Sequence, residues 1–266
     1  MTVMKKKSKL FGAIVCLLMA ASCDVVDNYT VPYQPPTAAE EQTVLLEEYT
    51  GMLCVNCPAA AREAQLLKET FGKKLIVVAI HAGDFAKPNA NFRTDLRSEA
   101  GEAYWKAFGF AFNPVGMVNR SVWSGSVTLN PVNWATAVRG ELAVESSVRL
   151  ELHTDYDKST RAYTCDIVAS GLTGQETEIT LWLVEDEIVA PQVIPGGTDK
   201  NYVQRHVLRG ALNGTWGEPI VPDDKGVWHA ERSYLLPAHY DAGKCSIVAF
   251  AATASRKIVC VTETPL

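Results

Sequence analysis

Two cysteines separated by two residues, Cys54 and Cys57, are the side chains of this sequence best suited to chemistry. In an exported protein such a pair can be a catalytic dithiol, half of a metal site or a short structural disulfide. Pro58 and then a helical pattern follow, so the pair stands where a helix begins. The N–H groups and dipole of a helix N-terminus lower the pKa of a nearby thiol. We therefore favour a catalytic dithiol, with Cys54 as the exposed nucleophile and Cys57 as the resolving thiol.

An acidic residue before the first cysteine adds a proton acceptor. Glu48 ends the predicted first strand, 44–48, which begins with the apolar run 44–46, so we expect it on a buried strand. A buried carboxylate at this place could take the proton from the Cys57 thiol. Glu47 should point to the opposite face, because side chains alternate along a strand. The alternative interpretation of Glu48 is a solvated acid at a strand edge.

The elements that must position these side chains form a strand–helix–strand unit. Residues 58–71 carry apolar side chains at helical spacing and stop before Gly72, which suits a helix C-terminus. Residues 75–80 are a continuous β-branched run, typical of a parallel strand that is covered on both sides. Three further elements are predicted: a helix within 95–108, a strand at 114–119 and a helix at 130–140 with Asn130 as its N-cap.

The second half of the sequence has a different pattern, with short alternating stretches separated by turn residues. The predicted strands are 148–153, 162–169, 178–184, 228–235, 244–252 and 257–262. Strands at this spacing, without helices between them, favour an antiparallel β-sandwich. Periodicity assigns no structure to residues 202–212, which hold Arg205, His206 and Arg209. We favour interface or loop packing for these three side chains over the lining of a groove.

The first 22 residues have the layout of an export signal. Four lysines precede an apolar run at 10–21, and small residues then lead to Cys23. This layout predicts a lipoprotein signal peptide at 1–22 and lipid on Cys23, the alternative being an ordinary secretory signal. Residues 23–42 contain three prolines and no periodicity, and predict a tether. No later stretch suits a transmembrane helix, so lipid on Cys23 would provide the membrane link.

Composition and charge narrow the classes of partner. The chain has 266 residues, of which 47% are apolar and 21% charged, as in ordinary globular proteins. Loss of the four lysines in 1–22 changes the formal net charge from −5 to −9. An acidic chain is a poor candidate for nucleic-acid binding. Besides the dithiol, Cys165, Cys245 and Cys260 lie in predicted strands, and this odd number leaves at least one thiol free or intermolecular, with the pairing open.

Several motifs together carry a resemblance to a known family. They are the signal ending at Cys23, Leu-Glu-Glu-Tyr-Thr-Gly before the dithiol, and the segments 80–83, 114–120 and 213–218. With them the chain resembles the outer-membrane-protein-twenty-eight-related lipoproteins of Bacteroidota, and around the dithiol it resembles the thioredoxin superfamily. The resemblance implies an outer membrane lipoprotein, on the periplasmic or the surface face. It implies a thioredoxin-like domain at 43–142, followed by a β-rich domain at 143–266, which we expect to be an immunoglobulin-like antiparallel β-sandwich.

Two residues take their expected roles from this resemblance. Glu48 occupies the buried-acid position of the superfamily, and Pro114 stands where the superfamily has a cis-proline facing the dithiol. On sequence alone the Asn113–Pro114 bond would more often be trans. Leu53 and the pair at 55–56 depart from the usual residues of the superfamily, so substrate preference and redox poise stay open.

The sequence thus predicts a membrane-tethered, extracytoplasmic thiol–disulfide oxidoreductase of reductase or isomerase type. Its catalytic residues would be Cys54, Cys57, Glu48 and Pro114, and its partners protein thiols or disulfides. The alternative is a surface or periplasmic binding lipoprotein, in which a thioredoxin-like scaffold carries a structural Cys54–Cys57 disulfide. We expect no cofactor and no metal. A metal site made by the dithiol and His81 is disfavoured, because a strand-end histidine is more often a hydrogen-bonded structural residue.

Overall fold

The computed structural model describes residues 42–172 and 176–266. The largest sheet within these residues has eight strands. The predictions for the signal peptide, for Cys23 and for the tether up to residue 41 lie outside this range. Within the range, no helix is both long enough and apolar enough to span a membrane. The described residues contain a few helices and several sheets. This mixed composition agrees with the predicted combination of an α/β part and a β part.

The predicted strand–helix–strand unit is confirmed, and the helices and strands that follow it are present. The elements are β1 (Val44–Thr50), α1 (Cys57–Phe71), β2 (Leu75–His81), α2 (Glu99–Ala107), β3 (Val115–Val118) and α3 (Trp134–Leu142). β1 pairs with β2 in parallel and with β3 in antiparallel orientation. Helix α1 ends at Gly72, where φ is 58° and a side chain would strain the backbone. Helix α2 starts late because Ser98 caps it by accepting a bond from the Gly101 N–H.

The predicted start of the third helix is wrong. Residues Pro131–Asn133 form a single 3₁₀ turn, and Asn130 makes no side-chain cap bond to it. Helix α3 begins at Trp134, which is fully buried and whose indole N–H donates to the Leu129 carbonyl at 3.3 Å. The helix therefore begins at a buried aromatic residue rather than at the predicted cap.

The second half of the chain consists of strands joined by turns. They are β4 (Arg149–Tyr156), β5 (Ala162–Ser170), β6 (Thr177–Glu185), β7 (Ile188–Val189), β8 (Gln192–Ile194), β9 (Gly197–Asp199), β10 (Val203–Gln204), β11 (Val207–Ala211), β12 (Glu218–Pro219), β13 (Trp228–Leu235), β14 (Cys245–Thr253) and β15 (Ile258–Pro265). The six predicted strands are confirmed as β4, β5, β6, β13, β14 and β15. Strand β11 comes from the stretch 202–212, which periodicity left unassigned.

The large sheet joins the two halves of the chain. Its order is β15-β14-β6-β11-β2-β1-β3, with β12 added beside β6. Strand β11 makes the junction: it is parallel to β2, where Val207 faces Ala79, and antiparallel to β6. Strands from both sides of residue 142 therefore share one sheet, and the domain boundary at 142/143 stays a prediction.

Strands β6 and β14 are buried on both faces. On one face Trp182, Val184 and Phe250 pack with side chains of β1, β2 and α2. On the other face Leu181 and Leu183, with neighbours from β14, pack against the separate antiparallel sheet β4-β5-β13. Alternation along each strand sends successive side chains into the two cores. The second layer thus supports the sheet that carries the dithiol.

Candidate functional site

A disulfide joins Cys54 and Cys57 at the start of α1, with their Cα atoms 5.4 Å apart. The turn before it is held by the Cys54 N–H, which donates to the Gly51 carbonyl at 3.1 Å, and by the Leu53 N–H, which donates to the Phe85 carbonyl at 2.9 Å. A Cβ atom on Gly51 would lie 2.5 Å from the carbonyl carbon of Phe85. Only glycine fits this close approach of two backbone segments.

The N-terminus of α1 supplies a positive electrostatic environment to the disulfide. Over Cys57–Phe71, the first turn has no acidic residue, and Asn56 makes no side-chain cap bond there. The positive end of the helix dipole is therefore left without a neutralising side chain of its own helix. Such an end stabilises a thiolate on a nearby cysteine when the disulfide is reduced.

The prediction that Cys54 is exposed is wrong for the disulfide form. Cys54 is 3% exposed and Cys57 is 1% exposed. The cover is a segment of residues 188–204, which we call the strap and which contains β7, β8, β9 and β10. The strap lies between β6 and β11 in the chain, and its last residues fall in the stretch 202–212 that periodicity left unassigned.

Hydrogen bonds tie the strap to the turn of the dithiol. The side-chain amide of Gln192 donates to the carbonyl oxygens of Gly51 at 3.2 Å and Cys54 at 3.0 Å. The Val193 N–H donates to the Met52 carbonyl at 2.8 Å. Gln204, also in the strap, donates to the side-chain oxygen of Gln192 at 3.2 Å. These bonds hold the strap against the turn that carries Cys54.

Glu48 and Cys57 line the same cavity, whose volume is about 270 Å³. The other polar side chains of its wall are Thr50, Arg62, Gln65, Gln192, Tyr202, Gln204, Arg205 and His206. Glu48 is buried, and its Oε1 atom has no hydrogen-bond partner among the described residues. Burial raises the pKa of Glu48 from 4.5 to about 8, because the ionised form loses its hydration. A carboxyl with such a pKa can take and release a proton near neutral pH.

The neighbouring acid, Glu47, points to the opposite face of β1, as alternation predicts. It accepts two bonds from Arg120, each 2.9 Å long, and both side chains are almost fully buried. The guanidinium lies 5.0–5.9 Å from the centroids of five aromatic rings: Tyr104, Phe108, Trp182, Trp216 and Phe250. The ion pair and its aromatic cage thus connect β1 with side chains of α2, β6 and β14. Sequence reasoning missed the pair, although Arg120 belongs to the segment 114–120 that carries the family resemblance.

Pro114 lies at the dithiol end of the sheet. The Asn113–Pro114 bond is cis. Strand β3 starts at the next residue, and Val115 faces Tyr49 in the antiparallel ladder with β1. This register places Pro114 beside the end of β1, from which the chain turns toward Cys54.

His81 ends β2 and is fully buried, with no partner for either ring nitrogen among the described side chains and backbone. Burial and the charge of Arg209 lower its pKa to about 3, so the ring is neutral. The hydrogen bonds expected of a structural histidine are absent there. Over 42–172 and 176–266, no three His, Cys, Asp or Glu side chains gather in an arrangement that could hold a metal ion.

The three other described cysteines are free thiols. Cys165 and Cys245 lie in the core between the two sheets, where burial raises the pKa of each thiol to about 12. Such thiols stay protonated and behave as small apolar side chains. Within the described residues, thiol chemistry therefore concentrates at Cys54 and Cys57.

A comparison with protein families places most of this sequence in one of them. The family model described as "Outer membrane protein Omp28" matches residues 101–265, which is more than half of the chain. The match begins after the dithiol. No curated protein matches the chain.

Solved structures with a similar fold come from several bacteria. HBP35 of Porphyromonas gingivalis has a TM-score of 0.69 at 14% identity, over 86% of this chain and 76% of that one. A protein of Agrobacterium tumefaciens has a TM-score of 0.52 at 13% identity, over 86% of this chain and 96% of that one. A domain of the outer membrane lipoprotein Omp28 of Porphyromonas gingivalis is 22% identical over 46% of this chain and 88% of that one, with a TM-score of 0.34. The first two share the fold of this chain.

Proposed function

This chain belongs to the Omp28 family of outer membrane proteins, and on that premise we propose that it is a thiol–disulfide oxidoreductase of the cell envelope. Its place is the outer membrane. We propose reductase or isomerase chemistry at Cys54 and Cys57, with protein thiols or disulfides as partners. Lipid on Cys23 would attach the protein to the membrane, and the acidic charge of the chain disfavours nucleic acid as a partner.

We further propose that residues 43–142 form a thioredoxin-like unit and that the later strands form an immunoglobulin-like sandwich. The order β2-β1-β3 supports the first assignment, together with a dithiol at the start of α1 and a cis-proline before β3. The packing of β4-β5-β13 against β6 and β14 supports the second. In this arrangement, β11 extends the thioredoxin-like sheet into the sandwich.

The observation that carries the proposed function is the cavity shared by Cys57 and Glu48, whose Oε1 atom has no hydrogen-bond partner in the part of the chain that the structure describes. A structural disulfide needs no proton acceptor, whereas a resolving thiol must lose its proton before it can attack. An isolated buried carboxyl lowers the stability of the fold at neutral pH. Its location beside Cys57 supports a role in exchange.

The reaction in the reducing direction has two steps. The Cys54 thiolate attacks a substrate disulfide, forms a mixed disulfide and releases one substrate sulfur, which takes a proton from water. Cys57 then gives its proton to the Glu48 carboxylate, and the Cys57 thiolate attacks the sulfur of Cys54. The Cys54–Cys57 bond forms as the bond to the substrate breaks. The second substrate sulfur leaves and is protonated, so two electrons pass to the substrate, and a thiol reductant restores the dithiol.

Single cysteine variants test this reaction with a disulfide-bonded reporter protein and a thiol reductant. Cys54→Ser should abolish exchange, because the nucleophile is lost. Cys57→Ser should accumulate the mixed disulfide, visible as a heavier species on a non-reducing gel. Cys260→Ser is the matched control: it removes a thiol distant from α1 in sequence and should leave both readouts unchanged. Wild-type exchange rates in the first two variants would contradict the proposal.

The burial of the disulfide under the strap favours a second function. In that case the dithiol unit is a scaffold, the Cys54–Cys57 bond is structural, and the protein binds its partner elsewhere. The reduction potential separates the two functions. A value below about −300 mV, with no thiol reactivity under mild reductant, would support the structural bond. A higher value, with reversible reduction, would support exchange.

A further inference from the structure

The strap folds back on itself and forms a unit of its own. Within the described residues, β7 pairs with β10 and β8 pairs with β9, and neither pair joins the large sheet. The first and last residues of the strap are partners in this pairing, since Ile188 faces Gln204. Inside the strap, the Ala190 N–H donates to the Tyr202 carbonyl at 3.0 Å. The strap can therefore keep its own backbone pairing when its contacts to the rest of the chain change.

Each end of the strap adjoins a residue in the left-handed region. Glu187 precedes the strap with a φ angle of 55°, and His206 follows it, after one intervening residue, with a φ angle of 54°. Side chains other than glycine keep such angles only where neighbouring contacts hold them. On the far side of Glu187, the Asp186 N–H donates to the Lys244 carbonyl at 2.8 Å. The His206 carbonyl accepts from the Ala79 N–H of β2 at 2.8 Å. The two left-handed residues thus mark the points at which the strap leaves the large sheet.

One carboxylate holds both of these points. The Oδ1 atom of Asp186 accepts from the Glu187 N–H at 2.7 Å and from the His206 N–H at 3.4 Å. Its Oδ2 atom lies 3.4 Å from Nδ1 of His206. Rotation of the backbone at Glu187 and His206 would turn these N–H groups away from the carboxylate. Asp186 is therefore a clasp at the base of the strap, and it favours the position of the strap over the dithiol.

The strap also contacts the dithiol turn, through bonds to backbone oxygens. The Gln192 amide donates to the carbonyls of Gly51 and Cys54, and the Val193 N–H donates to that of Met52. Apolar side chains of the strap pack against the same turn. Both carbonyls bonded by Gln192 also accept a backbone N–H of the turn itself, so they keep a partner when Gln192 leaves. None of these bonds involves a sulfur atom, so reduction of the disulfide leaves them available.

We propose that the strap is a lid that opens as a unit about Glu187 and His206, and so admits a bulky disulfide substrate to Cys54. This inference rests on the proposed exchange function and deepens it. With the lid closed, Cys54 is 3% exposed, whereas attack on a substrate disulfide needs an accessible thiolate. Opening breaks the bonds of Asp186 and Gln192 and keeps the pairing inside the strap. The lid thereby sets the fraction of molecules that can react.

Hydrogen exchange and alkylation measure the opening in the full-length Cys57→Ser protein, where Cys54 is the remaining thiol of the site. The Val193 N–H reports the contact between the strap and the turn, and the Ala190 N–H reports the pairing inside the strap. A fluorescent maleimide reports access to Cys54, and the mass of the labelled peptide locates the label. When closing is fast, exchange at Val193 and alkylation of Cys54 both scale with the open fraction.

Asp186→Ala in this background removes the clasp. Exchange at Val193 and alkylation of Cys54 should rise by the same factor, about tenfold, because hydrogen bonds to a charged acceptor no longer oppose opening. Exchange at Ala190 should not change. Asp223→Ala is the matched control, since the Asp223 carboxylate also accepts two backbone N–H groups, in the loop before β13. It should leave all three rates unchanged.

Faster exchange at Val193 with unchanged alkylation would overturn the lid, since the strap would then move without opening Cys54. Equal acceleration at Val193 and Ala190 would also overturn it, because the strap would unfold instead of opening as a unit, and so would three unchanged rates. If urea unfolding shows that Asp186→Ala is not folded, Gln192→Ala decides by the same rates, with a several-fold rise expected at Val193 and Cys54. Rates that follow this pattern support the lid even if a reporter protein is not turned over, a result that contradicts only the proposed function.

Discussion

Replacing Glu48 with glutamine isolates the effect of burying one carboxyl. Glutamine keeps the size and polarity of protonated glutamic acid but cannot ionise. In the unfolded chain Glu48 ionises near pH 4.5, and in the folded protein burial raises its pKa to about 8. Between these values the folded protein holds a proton that the unfolded chain has lost. The wild type should therefore become less stable as the pH rises through this window.

The size of the effect follows from the two pKa values. Each pH unit between 4.5 and about 8 lowers the free energy of unfolding of the wild type by about 1.4 kcal/mol. At pH 7 the loss is on the order of 3 kcal/mol, and below pH 4.5 it vanishes because both states are protonated. The Glu48→Gln variant lacks this loss. It should match the wild type near pH 4.5 and exceed its stability by on the order of 3 kcal/mol at pH 7.

Urea unfolding of the oxidised proteins at both pH values measures this difference, with the slope checked for two-state behaviour. The neighbouring variant Glu47→Gln is the matched control, because it breaks the buried pair with Arg120. It should lose about 3 kcal/mol or more at pH 7. A Glu48→Gln protein that is less stable than the wild type at pH 7, or that keeps the wild-type pH dependence, would refute the burial of an isolated carboxyl.

Two further substitutions test the supports of the site. Arg120→Lys should lower the free energy of unfolding by about 3 kcal/mol, because an ammonium cannot make two parallel bonds to Glu47 inside the aromatic cage. Urea unfolding checks this, and a loss under about 1 kcal/mol would count against a structural role for the pair. Gln192→Ala should speed reduction of the disulfide by dithiothreitol several-fold, because the side-chain amide of Gln192 holds the strap to Cys54 by a hydrogen bond. Alkylation of Cys54 after timed reduction measures this, and an unchanged rate means that the strap does not limit access.

Most of the fold follows from local patterns in the sequence. The β-branched run at 75–80 forms β2, and the helical spacing at 58–71 forms α1. Both could be predicted because the pattern of apolar residues over a short stretch shows which faces of the element are buried. Strand β11 was not predictable in this way. It is short, its pairing with β6 shifts register between Leu208 and Gly210, and its partners are distant in the chain. The junction of the two halves therefore depends on contacts that leave no local period.

The candidate site divides along the same line. The spacing of Cys54, Cys57 and Glu48 was enough to point to a dithiol with an acid behind it. The strap could not be predicted from the sequence, because the hydrogen bond from Gln192 to Cys54 joins residues 138 positions apart in the chain. The partner of Glu47 lies 73 positions away. Such pairs form only when the chain folds. The type of one residue does not indicate which distant residue it will bind.

By itself, the sequence determined that a dithiol opens a helix after a strand that carries two adjacent acids. Only the tertiary structure decided that one acid is neutralised by Arg120 and that the other, Glu48, lines a cavity together with Cys57. It also decided that the disulfide is covered, and that His206 shares the cavity. The physical reason is that burial and the nearest charges, contributed by distant segments, set the free energy of ionising a carboxyl or a thiol. Spacing along the chain sets only which groups can meet.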